Sequence, residues 1–382
     1  MRAMMELSNL YDDFRNPDTI KAYARKIALL AKKLDRDIGI MEVCGGHTHT
    51  IMKYGLPQLM PKNIDFIHGP GCPVCIMPKE RIDHAYALAM QEDVILVTLG
   101  DMIKVPGSNG SLQDARSKGA DVRFVYSPLD TLKIALENPD KEIIFFAIGF
   151  ETTTPMTAAL LDAIIKKDIK NIKLHINHVT VPEVMTTLLV DSEDRKVESR
   201  IDAFLGPSHV SVISGSKIYE LFALQYGKPV VVSGFEPVDV MQSIAMILEQ
   251  LLEGRSEVEI EYTRAVDRDG NKEAQKLIEK YFEKAPAFLW RGLGEVAHSS
   301  WKLKDAYSVY DAEVIYDAIL PKEQCMDHKL CLCGEILKGM AKPPQCTIFG
   351  KLCTPSNPVG SCMVSSEESS TPRVDTCPRN IY

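Results

Sequence analysis

Ile38-Gly39-Ile40-Met41-Glu42-Val43 runs directly into Cys44-Gly45-Gly46-His47-Thr48-His49, a short apolar segment followed by a glycine-rich stretch carrying a thiol and two imidazoles. An apolar run of this length bounded by glycine reads as a strand buried on both faces, the kind found in parallel sheets. The pattern recurs along the chain. Residues 64–67 lead into Gly69-Pro70-Gly71-Cys72-Pro73-Val74-Cys75, residues 94–99 into Gly100-Asp101, and residues 143–148 into Gly149-Phe150-Glu151-Thr152. Residues 122–126, 172–176, 203–205 and 230–232 have the same apolar character.

Helical stretches separate these runs. Asn16-Pro17-Asp18 is a capped start with proline at the first helical position, leading into an amphipathic run to about residue 34. A short helix is expected from about Thr50, another over 79–91 after Pro78, and another through 136 after Ser127-Pro128. Strands alternating with helices imply right-handed βαβ crossovers and parallel sheets, and 382 residues accommodate two of them. The expected fold is α/β: two related parallel-sheet α/β domains facing a cleft, residues 1–126 and 127–254, plus a C-terminal loop/helix-rich iron–sulfur domain over 255–382. Ligands in open α/β sheets sit at the carboxyl ends of strands. The loops Asn177-His178-Val179-Thr180, Gly206-Pro207-Ser208-His209 and Gly234-Phe235-Glu236-Pro237 therefore either share that cleft or are ordinary βα turns.

Composition narrows the chemistry. A net charge of −8 without clustered Lys and Arg argues against a nucleic-acid binder. The first residues lack the apolar core of a signal peptide, and no run approaches the length of a membrane span, so a cytoplasmic protein without a membrane partner is expected. Ten cysteines in a reducing compartment point to metal binding or thiol redox chemistry rather than structural disulfides. There is no phosphate-binding Gly-x4-Gly-Lys-Ser/Thr, no Gly-x-Gly-x-x-Gly after the first strand, no Gly-x-Ser-x-Gly elbow and no Cys-x3-Cys-x2-Cys run.

Three groups of residues could carry that chemistry. Cys72 and Cys75 form a Cys-x-x-Cys. Placed at a helix N-terminus it would be a dithiol/disulfide couple with dipole-stabilised thiolates, and a metal knuckle is the equal alternative. Cys44 adds a third sulfur, while His47 and His49 could bind metal, orient a ligand, transfer protons or simply cap backbone carbonyls. Glu151 could act as acid or base, or cap the helix expected to begin within 152–155. The third group is C-terminal: Cys325, Cys331, Cys333, Cys346, Cys353, Cys362 and Cys377. Paired Cys-x2-Cys knuckles of a zinc ribbon are missing there, whereas Cys333, Cys346, Cys353 and Cys362 can supply four thiolates to an iron–sulfur cluster. Spacing leaves Cys331 or Cys325 as substitutes for Cys333.

Taken together, five motifs resemble the HypD family of [NiFe]-hydrogenase maturation factors, nearly end to end. They are Cys44-Gly45-Gly46-His47-Thr48-His49-Thr50, Gly69 to Cys75, Gly100-Asp101-Met102 through Pro106-Gly107, Gly149-Phe150-Glu151-Thr152-Thr153, and Cys353-Thr354-Pro355 through Cys362-Met363-Val364-Ser365. The resemblance implies a scaffold and redox component for assembling the Fe(CN)2CO moiety. In that family a small partner, HypC, holds the iron jointly with the scaffold, and HypE delivers cyanide as a thiocyanate. Cys44 matches the family's iron-binding cysteine, and Cys72 and Cys75 match its redox-active pair, which can be counted as iron ligands too. The implied fold has two related α/β domains facing a cleft and a [4Fe-4S] domain similar to part of ferredoxin–thioredoxin reductase.

One departure is visible. The family pattern continues Ser-Ser-Glu-Gly-x-Cys, whereas this chain reads Ser365-Ser366-Glu367-Glu368-Ser369-Ser370. The cysteine expected near Ser370 is therefore not an obligatory ligand, or Cys377 replaces it; the former is favoured. The alternative function is an iron–sulfur-dependent thiol–disulfide oxidoreductase of the ferredoxin–thioredoxin reductase type.

Overall fold

The structure, a computed structural model, describes residues 13–190, 200–322, 328–354 and 357–364. Cys325, Cys377 and the segment 365–370 lie outside the described residues. Two wholly parallel sheets form the body, which is α/β. The first contains β1 (Ile38–Glu42), β2 (Ile64–His68), β7 (Ala203–Pro207), β8 (Val230–Ser233) and β9 (Val258–Ile260), in the order β2-β1-β7-β8-β9. The second contains β3 (Val94–Leu99), β4 (Asp121–Val125), β5 (Glu142–Gly149) and β6 (Ile172–His178), in the order β4-β3-β5-β6.

The chain therefore builds half of the first sheet, leaves to build the second, and returns. β1 pairs with β7 across more than 160 intervening residues, Ile40 opposite Ala203 and Glu42 opposite Leu205. This departs from a division at 126/127: β3 pairs with both β4 and β5, so the second sheet spans that point. A boundary at 254/255 fails similarly, because β9 lies beyond it and completes the first sheet. Apolar alternation marks a strand but does not say which sheet it enters.

Local signals position the helices. Asn16 Oδ1 accepts the backbone N–H groups of Asp18 and Thr19 at 2.9 and 3.1 Å, and Pro17 occupies the first turn of the helix Pro17–Leu34. That helix and Pro237–Glu253 cover one face of the first sheet through Ile27, Ala31, Ile244 and Leu248. Beyond β9, the helix Lys272–Tyr281 packs on the second sheet through Ile278 and Tyr281. Then follows a nested antiparallel ribbon in which β10 (Phe282–Lys284) pairs with β13 (Trp301–Leu303) and β11 (Ala287–Trp290) with β12 (Gly294–Ala297). Strand pairing thus continues within the segment expected to be rich in loops and helices.

The ribbon fills the space between the sheets. Trp290, fully buried, joins Met41, Val43 and Ile67 of the first sheet to Phe150 and Val179 at the end of the second. Its indole stacks near Phe150, centroids 6.2 Å apart, and its Nε1–H donates to Ser299 Oγ at 2.8 Å. Trp290→Ala removes this plug and should cost about 3–5 kcal/mol of stability. A lowered urea midpoint checks it, with loss of helical signal and loss of tertiary signal coinciding.

Candidate functional site

The helix after β1 begins at Gly45 and runs to Lys53, with Cys44 as its N-cap residue. The Gly-Gly-His-Thr-His stretch is thus the first turns of a helix rather than a loop before one starting near Thr50. Cys44, 4% exposed, stands at the positive end of that helix. Cys72 and Cys75 do not stand at the start of the helix Lys79–Ala89; Pro78 is the residue there. They form their own turn, in which the N–H groups of Cys75 and Ile76 donate to the Cys72 carbonyl at 3.2 and 3.3 Å. Three apart on one turn, their side chains share a face. The dipole argument made for the pair therefore applies to Cys44 instead.

This turn lies on the first crossing between the sheets, where it meets the Cys44 segment directly. Gly45 N–H donates to the Gly71 carbonyl at 3.3 Å, and a methyl group on Gly71 would lie 2.6 Å from Cys44 Cα. Only glycine permits this approach. Cys72 and Cys75 are buried, and the eight described cysteines are all thiols.

Around Cys44 the first sheet contributes a polar shell. Glu42, buried, accepts Cys44 N–H at 2.9 Å through Oε2, and through Oε1 accepts the Thr48 hydroxyl and, at 2.7 Å, His68 Nδ1–H. His209, after β7, brings both ring nitrogens to 3.8 Å from Cys44 Sγ. Phe235, after β8, stacks on His209 at 5.1 Å and lies 4.6 Å from the His47 ring. His47 Nε2–H donates to the Gly234 carbonyl at 3.0 Å, leaving Nδ1 buried and without a partner among the described residues. Burial pushes the His209 pKa down to about 4, with His47 adding, and burial lowers His47 against the opposing pull of Glu42. Both imidazoles are therefore neutral at pH 7. His49 points outward, away from this group.

Two of the three second-half loops thus converge on Cys44, those at Gly206-Pro207-Ser208-His209 and Gly234-Phe235-Glu236-Pro237. The third does not. His178 is buried against Thr157, and Asn177 hydrogen-bonds His175 and Arg81 in a separate network.

Glu151 comes from the second sheet. Its Oε1 accepts Val181 N–H at 2.8 Å, so it caps the helix Val181–Leu189, not the helix after its own strand. Oε2 is buried with no partner among the described residues, and burial raises the pKa to about 7 against the backbone hydrogen bonds to the carboxylate and the charge of Lys284. The buried Tyr219 phenol feels both Glu151 and Cys44, which add to burial in pushing its pKa up. Tyr219 thus lies within electrostatic reach of both Glu151 and Cys44.

The C-terminal cysteines form a separate buried cluster. Cys333, Cys346, Cys353 and Cys362 pack together, with half-buried Cys331 against them. Cys333 donates to Cys362 Sγ at 2.8 Å and accepts Cys362 N–H at 3.3 Å, while Val359 N–H reaches Cys353 Sγ at 3.3 Å. Cys331 hydrogen-bonds Cys333 and favours its thiolate, but the contact with Cys362 and burial push that thiol up overall. Any side chain on Gly360 would overlap the sulfurs of Cys331 and Cys333. Among the described residues no three His, Cys, Asp or Glu side chains are disposed to hold a single metal ion.

The comparisons with known proteins agree with this arrangement of motifs. The sequence model of HypD, described as the "Hydrogenase formation hypA family", matches residues 18–371. The chain belongs to the HypD family. It is 49% identical over 358 residues to the hydrogenase maturation factor HypD of Rhizobium leguminosarum bv. viciae, covering 93% of this chain and 92% of that one. It is 47% identical to HypD of Cupriavidus necator, covering 93% and 94%, and 42% identical to HypD of Escherichia coli K12, covering 93% and 95%. Among the described residues no helix of this HypD-family chain is long and apolar enough to cross a membrane.

Sequence reading missed Glu42 and His209 as site residues. A glutamate inside an otherwise apolar strand was the available signal for Glu42. His209 had none beyond its place after a strand.

The raised Glu151 pKa has a consequence for stability. The native carboxyl binds more protons than the unfolded one between about pH 4.5 and 7, so its contribution to stability falls across that window and is constant above it. Glu151→Gln removes this dependence. Relative to the parent, the variant should gain about 3 kcal/mol between pH 4.5 and pH 8, read from urea unfolding curves at several pH values. A pH-independent difference contradicts the buried, near-neutral carboxyl.

Proposed function

We propose that this HypD-family maturation factor is the scaffold on which the Fe(CN)2CO moiety of [NiFe] hydrogenase is assembled, and that it also supplies the electrons. The observation carrying this reading is the junction at Gly71, which sets Cys44 beside the Cys72/Cys75 turn. Iron is the cargo. Cys44 holds it together with a cysteine of a HypC-type partner; thiolate is a fitting ligand for iron carrying cyanide and carbonyl. Cys72 and Cys75, on the adjoining turn, would serve as further ligands or as the redox pair. Neutral His209, 3.8 Å from Cys44 Sγ, can hydrogen-bond a thiol that becomes a ligand.

Cyanide arrives as a thiocyanate from a HypE-type donor. A thiolate of the Cys72/Cys75 pair attacks the thiocyanate sulfur, the S–C bond breaks, and cyanide leaves with the bonding electrons. The second thiolate then attacks the mixed disulfide, releasing the donor's thiolate and leaving Cys72–Cys75 oxidised. Two electrons have passed from the dithiol to the thiocyanate. Glu151, whose pKa burial raises to about 7, would exchange the accompanying proton.

The C-terminal cysteines fit a [4Fe-4S] cluster on four grounds: four buried thiols in one cluster, two backbone N–H groups aimed at sulfur, glycine at the point of convergence, and orphaned donors beside them. Cys333, Cys346, Cys353 and Cys362 would hold it. The 2.8 Å approach of Cys333 and Cys362 is a thiol–thiol hydrogen bond, which binding would separate. Such a cluster supplies single electrons, which would return the Cys72–Cys75 disulfide to the dithiol. A cytoplasmic location suits these reducing steps. The freestanding oxidoreductase is not favoured, since the HypD likeness covers both sheets as well as the cysteine segment.

Infrared spectroscopy on protein isolated anaerobically with its small partner tests the scaffold. Cyanide and carbonyl stretching bands are expected in the parent and absent in Cys44→Ala. Bands that persist in the variant refute the assignment of Cys44. Separately, Cys353→Ala is expected to abolish visible cluster absorption; retained absorption with unchanged iron and sulfide excludes Cys353 as a ligand.

A further inference from the structure

Arg291, at the tip of the ribbon between β11 and β12, is an arginine only 3% exposed. Its backbone N–H donates to the Ile76 carbonyl at 2.8 Å, fastening it to the Cys72–Cys75 turn. Its side chain reaches the other way. Nη2 donates to the carbonyls of Val359 at 2.8 Å and Pro358 at 3.4 Å. Val359 N–H is the donor to Cys353 Sγ, and Gly360 is the residue packed on the sulfurs of Cys331 and Cys333.

The remaining donors of the guanidinium, Nε and Nη1, are buried with no partner among the described residues, and no carboxylate there is paired with it. A second orphan lies close by. Ser361 Oγ is buried without a partner, and a methyl group on Gly292 would stand 3.5 Å from that oxygen and 3.5 Å from Cys333 Cβ. A guanidinium remains charged, and leaving it buried with open donors costs several kcal/mol unless an anion compensates it. Three orphaned donors beside converging sulfurs call for a group rich in acceptors and negative in charge. Four thiolates around an iron–sulfur cluster make such a group.

We propose that Arg291 is the counter-charge and positioning residue of the C-terminal cysteine centre, holding loop 358–360 against the sulfurs while tying that centre to the Cys72–Cys75 turn. This rests on the cluster reading given above. A positive charge beside the cluster favours the reduced, more negative state, so its loss lowers the reduction potential.

The test uses the whole chain, reconstituted anaerobically with iron and sulfide, as parent, Arg291→Lys and Arg291→Gln. Iron and sulfide content are measured first, then the midpoint potential by an EPR-monitored redox titration. The expected result is a potential shifted to more negative values in Arg291→Gln, with Arg291→Lys closer to the parent. If Arg291→Gln loses its iron while Arg291→Lys retains it, charge is again the difference and the proposal stands. Two variants that both retain iron and share one potential, or that both lose iron alike, overturn it. A parent chain that takes up no iron and sulfide refutes the cluster reading itself and is distinguished at the first measurement.

Discussion

The architecture around the cysteines depends on the contact of Gly71 with the backbone of Cys44 and Gly45, where no β-carbon fits. Each residue ends a different path. Cys44 follows the strand β1, wholly buried in the first sheet, and Gly71 opens the crossing that carries the chain to the second. Because the two meet, the segments carrying three cysteines separated by as many as 31 positions adjoin one another. The second crossing is fixed near it, since Glu151 at the end of β5 caps the helix that begins the return.

The site is costly to build, and its costs identify it. Glu42, His47, Glu151 and Tyr219 are polar side chains removed from water, and three of them retain an atom without a partner among the described residues. Stable interiors satisfy such groups, so clustered exceptions mark places where something else binds or reacts. The same reasoning applies at Arg291, on the opposite side of the Cys72–Cys75 turn. The Cys72–Cys75 turn, Arg291 and the C-terminal cysteine cluster therefore form one contiguous sequence of contacts.

Much of this was legible in the chain itself. Parallel sheets followed from apolar runs ending in glycine, the first helix from Asn16 and Pro17, and the family from motifs whose order is improbable by accident. The errors have physical causes. A helix can start at Cys44 because two glycines and a histidine are tolerated once tertiary contacts with Phe235 and Gly234 support them, so weak propensity was overridden. The equal division into halves failed because strand order is set by which faces bury together, and adjacent strands in sequence need not share a sheet.

By itself the sequence determined the chemistry available: which thiols, imidazoles and carboxylates exist, and that they fall at strand ends where backbone turns away from the sheet. Tertiary structure alone decided their company. His209 beside Cys44, Glu151 on the helix Val181–Leu189, and Arg291 between two cysteine groups all depend on contacts across 30 to 215 residues. Such pairings arise from the packing of complete sheets, and no local pattern encodes a partner that only burial brings near.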